Sequence, residues 1–264
     1  MSTLYLQSVG VLGPGLPDWP TTRRILSGEA PYDAQVEAQP NPMLLPPNER
    51  RRVPRLVRWT IAAAHEALIE ASRDPADVAV VFTSSSGDGE IVHRLCEAAA
   101  SPAREVSPTL FHNSVHNAPA GYWSIGAGSQ QRSVALCGHD ASFAVGLMEA
   151  VTLVCTEQVP VLLVACDLPF PEPLAALRPI GASFAVALLL SPVPCRQALA
   201  CWQVSIGAGA EATAIPAALP ATLATNPAAA ALPLLAASAR GAAETIRLTY
   251  VGGQHIAVEV RRCH

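Results

Sequence analysis

The chain has 264 residues, half of them apolar, and a formal net charge of −4. That length and composition suffice for one large α/β domain with a sizeable core. All 17 basic residues are Arg, which excludes Schiff-base lysine chemistry and a Walker-type phosphate loop, and no stretch is basic and aromatic enough to form a nucleic-acid groove. The alternation over residues 1–10 predicts a first strand and lacks the charged start and long apolar core of a signal peptide. From Gly13 to Pro47, Pro and Gly break any period and predict one long loop. Val53, Leu56, Val57, Ile61, Ala64 and Leu68 then recur at helical spacing between Asn48 and Ser72. Residues 77–82 are a β-branched run that fits a strand buried on both faces, followed by a small-residue loop over 83–89 and a helix over 90–99.

At Ser107 and Pro108 a capping residue and a first-position proline predict a second helix, which carries Phe111, His112, Asn113, Ser114, His116 and Asn117. Residues 132–138 are strand-like. Residues 142–156 form a nearly all-apolar helix, interrupted only by Glu149, and a helix that apolar must be buried. Further strands are predicted over 159–166 and 183–190. Beyond Pro192, Ala and Pro dominate, but 245–250 and 255–260 flank Gly252 and Gly253 as a hairpin. The chain thus divides into 1–192 and an Ala/Pro-rich extension, 193–264, expected to cover exposed surface of the same domain with a helix and the hairpin. No apolar run reaches the length of a membrane span, so the protein is expected to be soluble and cytoplasmic.

Seven cysteines lie at irregular spacings with no C-x-x-C pair, which reads as reduced thiols acting as small hydrophobes. The strongest local pattern covers residues 134–150: a strand, a tight small-residue turn through Gly138, and the buried helix. In acyl-transfer enzymes such an elbow holds a nucleophile where the helix N-terminus can stabilise developing negative charge. It needs Cys or Ser at its tip.

In order and spacing, these segments resemble the β-ketoacyl synthases. Residues 77–89 look like that family's second core strand and its loop. Ser107, Pro108, Phe111, Ser114, Asn117 and Gly121 resemble the segment before its nucleophile strand, and residues 135–150 look like its elbow and helix. Aligned through Ser142, Phe143 and Gly146, the resemblance puts His139 where the family has its catalytic cysteine. Cys137 falls two residues early, roughly 6–7 Å back at about 3.3 Å per residue. Residues 193–264 contain no histidine-glycine-threonine or asparagine-histidine-glycine motif; their histidines are His255 and His264.

The resemblance therefore implies a thiolase-like α/β fold, a truncated half of a ketosynthase with a mixed five-stranded sheet flanked by helices and a C-terminal hairpin. It is most similar to the chain-length factors of aryl polyene and related bacterial pigment pathways, catalytically inactive homologues that pair with an active ketosynthase and shape the shared acyl tunnel. A β-ketoacyl-ACP synthase as heterodimer partner, an acyl carrier protein, no catalytic residue and no cofactor follow from that resemblance. So do interface or tunnel positions at Phe111, Asn113, Ser114, Asn117, Ser133, Ala135 and Phe143, with residues 133–136 at an edge that demands a partner.

The alternatives are an acyltransferase or thioesterase using Cys137, His139 or Ser142, with Asp140 orienting His139, or a stand-alone acyl-binding module. Arg50, Arg51, Arg52, Arg55 and Arg58 form a basic cluster near a helix start, where cations oppose the dipole. Of these, Arg51, Arg52 and Arg55 are candidates for docking an acidic carrier protein or its phosphopantetheine phosphate, against the reading of a solvated face. His112 and His116 have the i, i+4 spacing that can seat zinc, but no third ligand follows, so no metal is expected. The 83–89 loop reads as a structural turn rather than a phosphate nest.

Overall fold

The computed structural model describes residues 2–209 and 211–263. It opens with β1 (Ser2–Leu12), then α1 (Trp19–Ser27), α2 (Pro47–Arg52) and α3 (Arg55–Glu70). Next come β2 (Ala79–Thr83), α4 (Gly89–Ala100), α5 (Pro108–Asn113), α6 (Ala118–Ala127), β3 (Ser133–Leu136) and α7 (Ser142–Glu157). After β4 (Val161–Asp167), α8 (Leu174–Leu177) and β5 (Phe184–Ser191), the chain continues through β6 (Ala200–Ala208), α9 (Ala221–Ala224) and α10 (Leu232–Arg240). A closing pair, β7 (Glu244–Thr249) and β8 (Gln254–Arg261), ends it.

The described strands form one eight-stranded sheet in the order β3-β2-β4-β5-β1-β6-β8-β7. β2 pairs in parallel with both β3 and β4, and the other pairings are antiparallel, so the sheet is mixed as expected. It has eight strands rather than five because the 193–264 segment adds β6, β8 and β7. The predicted hairpin is present, and α10 covers the sheet. β6 was hidden by its composition: only alternate residues, Ala200, Trp202 and Val204, are buried in it. One sheet and one continuous core thus take in residues from both segments.

Period two decides which side each residue joins. Ala79, Val81, Val161, Leu163, Ala165, Phe184, Val186 and Leu188 face the layer of α1, α7 and α10. Their neighbours Val80, Phe82, Leu162, Val164, Ala185, Ala187 and Leu189 face α3 and α6. Central strands covered on both faces read as continuous apolar runs, as β4 and β5 do. α7 packs on the sheet along one face and against the Pro227–Ala231 turn, burying Phe143, Leu147, Ala150, Val151 and Val154, which is why an almost wholly apolar helix is stable here.

Two expectations about helices fail for local reasons. The 13–47 segment contains α1, because Asp18 accepts from the Thr21 amide at 2.7 Å and Pro20 occupies the first turn. The long helix from Asn48 is split at Val53 and Pro54, whose ring blocks an interior helical bond. Arg50, Arg51 and Arg52 therefore end α2, where cations favour the dipole, and the argument from a retained electrostatic cost does not hold for them.

α3 is fastened to β1 at close range. Ser8 Oγ donates to the Ala67 carbonyl at 2.6 Å, and Glu66 accepts from the Val11 and Trp19 amides at 2.9 and 2.6 Å. Burial is the largest influence on the Glu66 carboxyl and pushes it up to about 7 against those hydrogen bonds. A Cβ on Gly10 would lie 2.0 Å from the Ala63 carbonyl oxygen, a backbone atom that cannot step aside. Gly10→Ala is therefore expected to lower stability by about 1–3 kcal/mol in urea unfolding. By contrast Gly121, in α6 with nothing within 4 Å of an added Cβ, should gain a few tenths of a kcal/mol on change to Ala.

Candidate functional site

The carboxyl ends of the parallel strands β3, β2 and β4 converge on one polar cluster. Leaving β3, the chain passes Cys137 and Gly138, turns at His139, and enters α7 at Ser142. His139 has φ of +53°, a left-handed conformation that costs a non-glycine residue of the order of 1 kcal/mol. A strained tip is what an elbow requires, and the expected elbow is present.

Its support is equally specific. The Ser142 hydroxyl donates to the His139 carbonyl at 2.7 Å and accepts from the Gly138 amide at 2.9 Å, closing the turn. Thr83 Oγ1 donates to the Ser142 carbonyl at 2.8 Å. A Cβ on Gly146 would lie 2.8 Å from Thr83 Cγ2 and 2.9 Å from Leu163 Cδ1, so glycine there lets α7 lie directly on β2 and β4.

Ser142 is buried and both its hydrogen-bonding directions are engaged, which removes it as a nucleophile candidate. Cys137 is exposed, and its thiol donates to the Ser85 carbonyl at 3.1 Å rather than to an imidazole. His139 and Asp140 do approach each other, Nδ1 to Oδ2 at 3.3 Å, although adjacent residues rarely pair in this way. Asp140 Oδ1 also meets Arg178 Nη1 at 2.6 Å. With side-chain exposures of 69% and 68%, His139 and Asp140 form a solvated pair without the burial that tunes a general base.

Beneath this surface pair lies a group that the sequence reading passed over. Asp167, at the end of β4, accepts at Oδ1 from Ser84 Oγ (3.0 Å), Ser85 N (2.8 Å) and Ser85 Oγ (2.8 Å). Its Oδ2 is buried without a partner, as are Nε and Nη2 of Arg178. Burial pushes the Asp167 carboxyl up to about 6, against the lowering by the Ser85 and Ser84 hydrogen bonds and the Arg178 charge. Asn226 Nδ2 donates to the Asp167 and Ala182 carbonyls at 2.8 Å each, fixing the Pro227–Ala231 turn to the same strand end. A polar residue ending the apolar run 161–166 was the signal available. The serines of the 83–89 loop are accordingly structural, bonded to Asp167.

His112 and His116 do not share a helix, because α5 ends at Asn113; His116 Nε2 lies 3.1 Å from the Ser84 carbonyl. Among the described residues no group of three or more His, Cys, Asp or Glu is placed to hold a metal. Between α3, α6 and the ends of β2 and β4 the free space is a cavity of about 10 Å³ beside Thr83, His116 and Cys166, room for one water and not for an acyl chain.

The expected edge is real: β3 ends the sheet, and among the described strands only β2 pairs with it. Ser133 is exposed, and Val134, Ala135 and Leu136 are half-buried. α6 packs against β3 and leaves Ile125 (66%) exposed, and Phe111 (67%) and Val115 (50%) are exposed on and just after α5. Of the other interface candidates, Asn117 is exposed and Ser114 half-buried, while Asn113 is buried and accepts from the Tyr122 hydroxyl at 3.0 Å. Phe143, on α7, is fully buried in the core of this chain.

Arg52 and Arg55 line a groove of about 360 Å³ together with Arg94, Asp88 and Ser107, while Arg51 is exposed outside its lining. Arg55 Nη2 donates to Ser183 Oγ at 3.0 Å. Arg94, on α4, was not singled out from sequence because 42 positions separate it from Arg52.

A family model described as β-ketoacyl synthase, N-terminal domain, matches residues 27–245. A comparison with curated proteins gave no sequence match. Among solved structures, a ketosynthase in complex with its chain length factor from Xenorhabdus doucetiae matches at TM-score 0.73 and 22% identity, over 98% of this chain and 100% of that one. A type II PKS acyl-carrier protein in complex with its ketosynthase bound to the hexaketide gives 0.75 and 12%, over 99% of each chain. The ishigamide ketosynthase/chain length factor gives 0.72 and 14%, over 100% of each. The thiolase-like ketosynthase fold is thereby established, and no helix among the described residues is long and apolar enough to cross a membrane.

The raised Asp167 carboxyl makes a signed prediction. The folded chain holds that proton more tightly than the unfolded chain, so its contribution to stability is present below about pH 4 and is lost as pH rises through about 6. In urea titrations the stability of the parent minus that of Asp167→Asn should fall by about 2 kcal/mol between about pH 4 and pH 7. A difference independent of pH would show that Asp167 ionises normally.

Proposed function

Because this chain belongs to the β-ketoacyl synthase N-terminal-domain family, we propose that it is a non-catalytic, chain-length-factor-like partner of an active β-ketoacyl-ACP synthase. The observation that carries this reading is the unpaired edge of β3, against which α6 packs with Ile125 exposed. A second strand laid along that edge would satisfy its free amides and carbonyls, and a partner covering α6 would bury Ile125 with it. Two of the structural neighbours contain a ketosynthase together with a chain length factor, which fits the same reading.

The elbow supports the non-catalytic half of the proposal. His139 occupies its tip, Ser142 is engaged in closing the turn, and Cys137 contacts a carbonyl. Since the interior space beside β2 holds about one water, the chain would shape an acyl tunnel from the partner-facing surface, through residues such as Phe111, rather than enclose one. Residues 193–264 complete the sheet with β6, β8 and β7 and add α10 to the core. An aryl polyene or related polyketide would be the product measured, and the cytoplasm the compartment. The groove between Arg52, Arg55 and Arg94 is proposed to receive an acidic acyl carrier protein.

Co-expression with the ketosynthase encoded beside it should yield a 1:1 complex, while the chain alone should self-associate through the same edge. Ile125→Arg should weaken the complex at least about 100-fold by analytical ultracentrifugation and leave the circular dichroism of the chain unchanged. A well-behaved monomer with no affinity for that ketosynthase would overturn the proposal. Incubation with a thiol-directed acyl analogue should leave Cys137 unmodified at stoichiometric reagent, and Cys137→Ala should leave product formation by the complex unchanged. A stoichiometric Cys137 adduct would favour the acyltransferase alternative instead. For the groove, Arg52→Glu with Arg94→Glu should weaken carrier-protein binding at least about tenfold, with a salt dependence lost in the variant.

A further inference from the structure

A cavity of about 240 Å³ lies where α1, the C-terminal end of α10 and the residues after β8 meet. None of the elbow, edge or groove residues lines it. Arg23, Arg240 and Arg262 reach it from three separate elements, its lining includes the buried Trp19 and Ser238, and no Asp or Glu lines it. In a chain with 21 acidic residues and net negative charge, that local composition stands out.

The charges are only partly compensated. Arg240 Nη2 meets the two Glu244 carboxylate oxygens at 2.9 and 3.1 Å. Among the described residues, Arg23 and Arg262 have no carboxylate within ion-pair distance. Arg262, itself exposed, passes close to Gly241, the left-handed residue that closes α10. Ser238 donates its own hydroxyl to the Leu234 carbonyl at 2.8 Å, so it is already engaged within α10.

One guanidinium fork satisfies one carboxylate in bidentate fashion. Three exposed guanidinium groups lining one cavity, two of them without an ion-pair partner among the described residues and the third shared with Glu244, suit an anion with several charged oxygens. We propose that this cavity binds a phosphoryl-bearing small molecule through Arg23, Arg240 and Arg262. The site is separate from the β3 edge and would be occupied in the isolated chain.

Calorimetric titration with inorganic pyrophosphate, with tryptophan emission followed in parallel through Trp19, tests this directly. The expected result is saturable 1:1 binding that weakens as salt rises. The double variant Arg23→Gln, Arg262→Gln should bind at least about tenfold more weakly with unchanged circular dichroism, while Arg73→Gln, on an exposed turn elsewhere, should bind as the parent does. A parallel titration with 4′-phosphopantetheine separates a carrier-borne phosphate, which would bind more tightly than pyrophosphate, from a free phosphate ester, which would not. Absence of saturable binding to either probe, or equal binding by the double variant and the parent, would overturn the proposal.

Discussion

The outer side of β3 presents backbone N–H and C=O groups that no described strand of this chain pairs, at the margin of a sheet whose inner strands are buried on both faces. Much of the remaining arrangement bears on that edge. α6 leaves Ile125 outward beside it, α5 and the following turn leave Phe111 and Val115, and the elbow immediately after β3 opens onto the same side. Each unsatisfied backbone group carries a free-energy cost if buried without a partner, so an apolar surface can close over this edge only if another strand completes it. Pairing and burial are therefore coupled, and the same surface is an aggregation hazard until a partner arrives.

The elbow is a scaffold kept at a cost. His139 bears a left-handed backbone, Gly138 and Gly146 are required by close neighbours, and Thr83 and Ser142 lock the turn, with an imidazole rather than a thiol or hydroxyl at the tip. Such strain persists where the surroundings over-determine it. Here the surroundings are α7, held between the sheet and the Pro227–Ala231 turn that Asn226 ties to the end of β4. The extension thus does more than cover exposed surface. Its Pro227–Ala231 turn packs on α7, which in turn packs on β2, β3 and β4.

Much of this was legible in the residues. The all-apolar run from 142 could only be a buried helix, the 161–166 run could only be an interior strand, and the small-residue turn between 136 and 142 marked the elbow. What escaped had physical causes. β6 alternates Ala, Trp and Val with Gln and Ser inside an Ala-rich stretch, so its period-two signal was diluted. α1 depends on one Asp18 cap and a first-turn proline within a segment otherwise rich in helix breakers. Pro54 divided a helix whose apolar periodicity ran through it unbroken. Asp167 was invisible as a site because its importance rests on serines 82 and 83 positions earlier in the chain.

Hydrogen–deuterium exchange on the chain, free and mixed with its ketosynthase, tests the central claim most directly. If β3 completes a sheet across the two proteins, the amides of Ser133–Leu136 that point away from β2 will exchange much more slowly in the mixture, and peptides covering Phe111 and Ile125 will be protected with them. Unchanged exchange along β3 in a mixture that nevertheless forms a complex would contradict the account and place the partner elsewhere.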